Sequence, residues 1–284
     1  MRLASKLGRA VLVSPDGDRC VDVAKVSSGR FGPSAGSVYD EWDAFTSWAS
    51  GLAPDFDADG EALVLTEVEA PSPAPRQVFA IGLNYRSHAD ESGFTYPEEP
   101  PTFTKFVSSF TGPVSELRLP TDTVDWEVEL VAVIGRTASR VAAADAWDHI
   151  AGLTVGQDFS ERTLQLVGPA PQFSLGKSFP GFAPQGPWLV TPDELADPTN
   201  LALTCTLNGE EVQGGSTEQM IFSVAELVHR LSAVTTLMPG DVIFTGTPAG
   251  VGAGRTPKWF LKPGDVVVST IEGIGSLHQT CVSA

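Results

Sequence analysis

The sequence predicts an α+β, mostly β protein, with a small N-terminal α+β domain over residues 1–70 and a strand-dominated domain over residues 71–284. Three observations carry this reading. The chain has 284 residues and 42% apolar content, enough to bury one large core or a main domain with an appendage. A stiff connector, Ala70-Pro71-Ser72-Pro73-Ala74-Pro75, divides it. Beyond the connector, short apolar runs bounded by Gly, Pro and Asn outnumber helical patterns.

In chain order, Ala10–Val13, a turn at Ser14-Pro15-Asp16-Gly17-Asp18, and Arg19–Val23 read as a hairpin. Between Tyr39 and Ser50, the spacing of Trp42, Phe45 and Trp48 predicts a helix, with Asp40 as its cap. Val78–Gly82 reads as a strand. Leu201–Asn208 and Glu211–Gln213 form a second hairpin across Asn208-Gly209, a strong turn signal. Ser223–Val234 is the clearest helix, with Val224, Leu227, Val228 and Leu231 on one stripe. Strands at Asp241–Thr245 and Asp265–Glu272 close the chain.

The most informative segment is Val124-Asp125-Trp126-Glu127-Val128-Glu129-Leu130-Val131-Ala132-Val133-Ile134-Gly135. Successive side chains of a strand alternate faces, so Glu127 and Glu129 share one, roughly 6.5–7 Å apart along it. Trp126, Val128, Leu130, Ala132 and Ile134 form an apolar face, and Val131 and Val133 continue the face of the two acids. Those acids therefore enter a protein-walled cavity, where their repulsion calls for a cation. The alternative is an edge strand with its acids in solvent. A third acid, Asp158, ends the apolar run Ile150-Ala151-Gly152-Leu153-Thr154-Val155 and favours the cation. Three carboxylates without nearby His or Cys suit Mg²⁺ or Mn²⁺ rather than zinc, and leave positions open for a chelating substrate.

A net charge of −17 argues against sequence-independent nucleic-acid binding and against docking on anionic membranes. Cys20, Cys205 and Cys281 are odd in number and far apart, as expected of a reduced, cytoplasmic chain. Neither a signal peptide nor a transmembrane stretch is expected.

Several motifs occur in order: Asn84-Tyr85-Arg86-Ser87-His88-Ala89-Asp90-Glu91, the Glu-x-Glu strand, Thr154–Asp158, Gly176-Lys177-Ser178-Phe179, Asn208-Gly209-Glu210, Met220–Leu227, Pro239–Ile243 and Thr245-Gly246-Thr247-Pro248-Ala249-Gly250-Val251-Gly252. Together they resemble the fumarylacetoacetate hydrolase family from about Val78 to the end. The resemblance implies a mixed β-sandwich roll, a Mg²⁺ or Mn²⁺ ion, a homodimer, and cleavage, decarboxylation or isomerisation of small anionic 2-oxo acids. Its metal ligands fall on Glu127, Glu129 and Asp158.

His88 and Glu91 lie three apart, on one side of a helical turn; a Glu that fixes the imidazole tautomer makes the other nitrogen a better base. By itself this spacing is more often a surface pair. In the family the matching residues activate water on a segment that closes as a lid, here bounded by Pro97, Pro100 and Pro101 and expected over Gly82–Pro101. Lys177 reads as a solvated loop lysine or as an ammonium that stabilises an enolate, and the resemblance favours the second. Arg162 and Gln165 face the substrate if the chain turns helical after Asp158, and Arg suits a carboxylate bidentately. The resemblance also places Tyr85 against the substrate, and Thr247 offers a hydroxyl and backbone to a carboxylate.

The chain departs from the family pattern around the pocket. Pro180-Gly181 stand where an Asp is usual, Ser160-Glu161-Arg162-Thr163 where Ser-Ala-Arg-Asp is usual, Gln157 replaces an Asn, and Lys105-Phe106 replaces Lys-Pro. These bear on substrate identity rather than on the metal ligands. The expected activity is metal-dependent hydrolysis of a C–C bond in a 2,4-dioxo acid. The alternatives are a 2-oxo acid decarboxylase or a dienoate isomerase and, from another class, a catalytically silent oxo-acid binder.

Overall fold

The computed structural model of the chain describes residues 1–52, 54–93 and 95–284. Its architecture is mostly β, built on two mixed sheets. The larger runs in the order Glu61–Ala62, Arg19–Asp22, Arg9–Val13, Arg2–Lys6, Ala183–Val190, Ile150–Gln157, Val128–Ile134, Val242–Phe244, Val78–Ile81 and Thr102–Phe103. The second contains Glu210–Ser216, Ala202–Leu207, Val266–Ile271, Gly275–Ser283 and Val114–Leu119. Most neighbours are antiparallel, but Val242–Phe244 runs parallel to Val78–Ile81 and Gly275–Ser283 parallel to Val114–Leu119.

The Val128–Ile134 strand is central, paired with Ile150–Gln157 on one side and Val242–Phe244 on the other. Its alternation divides the interior into two cores. Trp126, Val128, Leu130, Ala132 and Ile134 pack with the second sheet and with Leu227, Val228 and Leu231 of the helix Val224–Val234. Val131 and Val133 pack with Leu3, Leu12, Val21, Trp42 and Phe45 from the first seventy residues. Those residues are also joined to the main sheet by hydrogen bonding, with Arg2 opposite Val190 and Leu3 opposite Leu189. The 70/71 boundary therefore falls inside one continuous sheet and a shared core.

Local signals explain most elements. Ser223 and Glu226 form a reciprocal capping box that starts the Val224–Val234 helix. Asn208 and Gly209 both take positive φ, 54° and 85°, as a two-residue hairpin turn requires. Two expectations need correction, and one strand was not anticipated. Asp40 does not cap the Trp42–Ala49 helix: it ends a separate helix, Ala35–Asp40, which Ser34 caps, and Glu41 intervenes. Arg2–Lys6 is an inner strand despite its polar ends, because its neighbours on both sides bury it. The chain closes on a further strand, Gly275–Ser283, whose buried set of Leu277, Gln279 and Cys281 is too polar to announce itself.

Candidate active site

The Glu-x-Glu segment is not one uninterrupted strand. Val124–Asp125 pairs with Ser160–Glu161, the ladder lapses at Trp126-Glu127, and Val128–Ile134 resumes in the main sheet. Buried backbone donors at such a break need partners. Gln157 Oε1 accepts from the Glu127 amide at 2.8 Å, and Gln213 Oε1 from the Val128 amide at 2.9 Å. Gln157 also donates to Ser269 Oγ at 2.9 Å, and Gln213 to Thr247 Oγ1 at 2.8 Å. These two glutamines fix the backbone from which Glu127 projects.

Glu127, Glu129 and Asp158 converge, with one carboxylate oxygen from each lying within 4.8 Å of the others, all three residues buried. Lys177 Nζ bridges two of them, 2.8 Å from Glu127 and 2.6 Å from Asp158. Lys105, fully buried, donates to Asp158 and to the carbonyl of Lys177. Sequence reasoning noted Lys105 only within a departure from the family pattern and gave it no role: it lies in a loop, and only the fold brings it to Asp158. Burial opposes ionisation of Glu127, but Lys177 and Arg162 outweigh it and hold that carboxyl below its usual range. Glu129 is the opposite case. Burial, then the charges of Asp158 and Glu127, push it well above the usual carboxylate range, and its carboxylate accepts one hydrogen bond, from the Gly246 amide at 2.8 Å.

This imbalance suits a hard cation as the group that would neutralise Glu129. The triad is all oxygen and buried, and among the described residues no cation pairs directly with Glu129, which fits Mg²⁺ or Mn²⁺ and not a thiolate- or imidazole-seeking ion. It also gives a pH signature. In the metal-free protein Glu129 keeps its proton to higher pH folded than unfolded, so between those two values the folded state binds more protons. This group then makes stability fall as pH rises through that window. A divalent ion needs the ionised ligand and removes the penalty. The rise in Tm on adding Mn²⁺ should therefore grow as pH rises above the ordinary carboxylate range. A pH-independent increment in thermal melts would contradict this account of Glu129.

Glu127 and Lys177 open onto a cavity of about 680 Å³, whose walls also carry His88, Glu91, Arg162, Gln165 and Thr247. Arg162 begins the short helix Arg162–Gln165, as expected. Its guanidinium donates to Asp125 at 2.6 Å, Glu127 at 2.7 Å and Gln165 Oε1 at 2.9 Å. A guanidinium has five N–H groups, so one hydrogen on each terminal nitrogen stays free for a substrate carboxylate. His88 and Glu91 sit on the helix Arg86–Ser92, with Nδ1 3.4 Å from Glu91 Oε2, loose as such pairs often are without substrate. The Gly250 amide donates to both Glu91 oxygens at 3.1 Å. Burial works against Glu91 ionisation, but His88 and that amide hold its carboxyl below the ordinary value.

The structure treats two candidates differently. Tyr85 is fully buried, does not line the cavity, and its hydroxyl has no hydrogen-bond partner among the described residues. Burial and the neighbouring Glu129 push its phenol well above the ordinary range. Thr247 lines the cavity, but its hydroxyl proton already goes to the Val128 carbonyl at 2.8 Å. The preceding loop is anchored by Asn84, whose side chain donates to Phe222 O and Thr245 O and accepts from Phe222 N. Of the expected lid Gly82–Pro101, Phe94 lies outside the described residues.

The model of the fumarylacetoacetate (FAA) hydrolase C-terminal region matches residues 77–282. The chain belongs to the fumarylacetoacetate hydrolase family. Within this enzyme family, a human protein named oxaloacetate tautomerase, mitochondrial, is 48% identical over 215 residues, 75% of this chain and 68% of its own length. A Mycobacterium smegmatis structure provisionally called HpcE is 55% identical with a TM-score of 0.94, covering 100% of both chains. The maleylpyruvate hydrolase from Sphingobium sp. SYK-6, solved with manganese(II) and pyruvate, is 27% identical with a TM-score of 0.78, again over 100% of both chains. The family assignment accounts for the mixed sheets and the buried acidic triad. Among the described residues, no helix is long and apolar enough to cross a membrane.

Proposed function

We propose that the chain is a divalent-metal-dependent enzyme acting on 2-oxo acids through their enolates, with keto–enol isomerisation of an oxaloacetate-type acid as the leading reading. The observation that carries it is a base pair, His88 with Glu91, on the wall of the cavity that holds the carboxylate triad, Lys177 and Arg162. The tautomerase name of a relative 48% identical supports this choice over the others. A bound Mg²⁺ or Mn²⁺, held by Glu127, Glu129 and Asp158, would supply Lewis-acid polarisation of the 2-oxo group.

The side chains divide the remaining work. Arg162 offers its two free N–H groups to the substrate carboxylate, and Gln165 orients that fork. With Nδ1–H turned to Glu91, His88 Nε2 carries the proton from C3 of the keto form to the enolate oxygen, or back from the enol, while Lys177 stabilises the charge that collects on that oxygen between the two transfers. Hydrolysis of 2,4-dioxo acids is the second reading. The doubly held Glu91 favours it, since water activation needs the same fixed base, and a solved relative is named maleylpyruvate hydrolase. Decarboxylation needs no base. Assembly as a homodimer and a cytoplasmic location remain parts of the proposal; the tautomerase relative carries a mitochondrial name.

The test is a panel of enol-oxaloacetate, acylpyruvates and oxaloacetate with Mg²⁺, followed by ultraviolet absorbance and product mass. His88→Ala should slow isomerisation or hydrolysis by about 10²–10⁴-fold, the usual worth of a general base, and any decarboxylation much less. Activity within a few-fold of wild type in His88→Ala would remove the base assignment. No acceleration of any panel member by the wild type would remove the functional reading itself.

A further inference from the structure

Asp125 takes no part in the chemistry above, yet it is fully buried beside it. One carboxylate oxygen accepts from Arg162 Nε at 2.6 Å and the other from the Ala253 amide at 2.7 Å. Pairing of Val124–Asp125 with Ser160–Glu161 sets the acid next to the start of the Arg162 helix. On its other side lies the Gly252–Gly254 turn, packed so closely that a Cβ on Gly252 would come 2.9 Å from Asp125 Cβ. This turn backs the base: a Cβ on Gly254 would lie 2.7 Å from Glu91 Cδ.

We propose that Asp125 is a positioning residue that aims Arg162 at the substrate carboxylate and pins the turn behind Glu91. The proposal rests on the reading of Arg162 as the carboxylate-binding group. Its physical basis is a competition for one guanidinium. With Nε held by Asp125, Arg162 touches Glu127 through a single Nη2 contact at 2.7 Å and keeps two hydrogens for substrate. Without Asp125 nothing holds Nε, and the fork is free to rotate into a bidentate pair with Glu127, turning away from the cavity. Asparagine at 125 is nearly isosteric, but its amide accepts on one atom only. It therefore leaves one of Arg162 Nε–H and the Ala253 N–H unpaired and holds the other without its charge, so both are loosened.

The experiment compares wild type, Asp125→Asn, Arg162→Gln and the double variant by calorimetric titration, first with Mn²⁺ and then with oxalate in saturating Mn²⁺. Asp125→Asn should weaken oxalate by about 10–100-fold, the range for a lost hydrogen bond to a charged group, and by more than it weakens Mn²⁺, which loses only the Glu127 oxygen that Arg162 takes up. The double variant should bind oxalate within about twofold of Arg162→Gln, because Asp125 acts through Arg162. Amide exchange at Ala253 and Gly254 should quicken in Asp125→Asn and not in Arg162→Gln. Losses that add in the double variant, or equal exchange in the two single variants, overturn the proposal. If Asp125→Asn does not fold, Arg162→Lys serves: it keeps the charge but cannot span Asp125 and Glu127 as a fork, so oxalate binding should fall, and unchanged binding overturns the proposal. A wild type that does not bind oxalate removes the reading of Arg162 and the proposal with it. Wild-type binding that Asp125→Asn leaves intact removes the proposal alone.

Discussion

Glu129→Gln should abolish turnover and lower Mn²⁺ affinity by more than about 100-fold, beyond what losing a group behind a metal ligand typically costs. The same substitution should leave the metal-free protein at least as stable as wild type. Among the described residues no cation pairs directly with Glu129, and burial with two neighbouring acids already pushes it toward the protonated form. A neutral amide of the same shape removes that repulsion. The two effects have opposite signs, which separates a metal ligand from an ordinary buried acid. A folded Glu129→Gln protein with wild-type Mn²⁺ affinity, measured by calorimetry, would contradict the assignment.

Lys177→Met should damage both stability and turnover. The ammonium lies 2.8 Å from Glu127 and 2.6 Å from Asp158, all three side chains almost wholly buried. Burial disfavours its charge, but the two carboxylates outweigh it and raise the lysine above its ordinary value. Removing it leaves Glu127 with Arg162 alone and Asp158 with Lys105 alone, and should cost the metal-free protein up to about 3–5 kcal/mol in denaturant unfolding. Turnover should fall by about 10²–10³-fold, the scale of a lost group stabilising an oxyanion. Mn²⁺ should restore more stability to this variant than to wild type, since the cation then neutralises the acids that lysine no longer faces. A variant as stable as wild type without metal would show that the bridge contributes nothing.

The triad was legible because strand parity and a strand-ending acid are local signals, and the two cores confirm the parity of Trp126 through Ile134. Asp125 carried the same signal, two residues before Glu127, and could have been read as a third acid in the series. Lys105 could not: its role depends on contacts with Asp158 and the Lys177 carbonyl, far away in sequence. The lapse at Trp126-Glu127 was hidden too, since the glutamines that satisfy it come from the end of one strand and from the second sheet. Tyr85 shows the limit of reading roles from a motif. It lies in the expected segment, but burial takes its ring off the cavity wall. At the N-terminus, Arg2-Leu3-Ala4-Ser5-Lys6 has too little apolar alternation to reveal an inner strand.

The central claim is that one divalent ion sits among Glu127, Glu129 and Asp158 and organises the cavity beside it. The most direct measurement is anomalous scattering from crystals soaked in Mn²⁺ with oxalate. The account predicts one strong peak at about 2.0–2.3 Å from a carboxylate oxygen of each of the three residues, the range for hard-cation coordination. Oxalate should fill the open positions and reach toward Arg162. A manganese peak elsewhere, or no peak in this triad at saturating Mn²⁺, would contradict it.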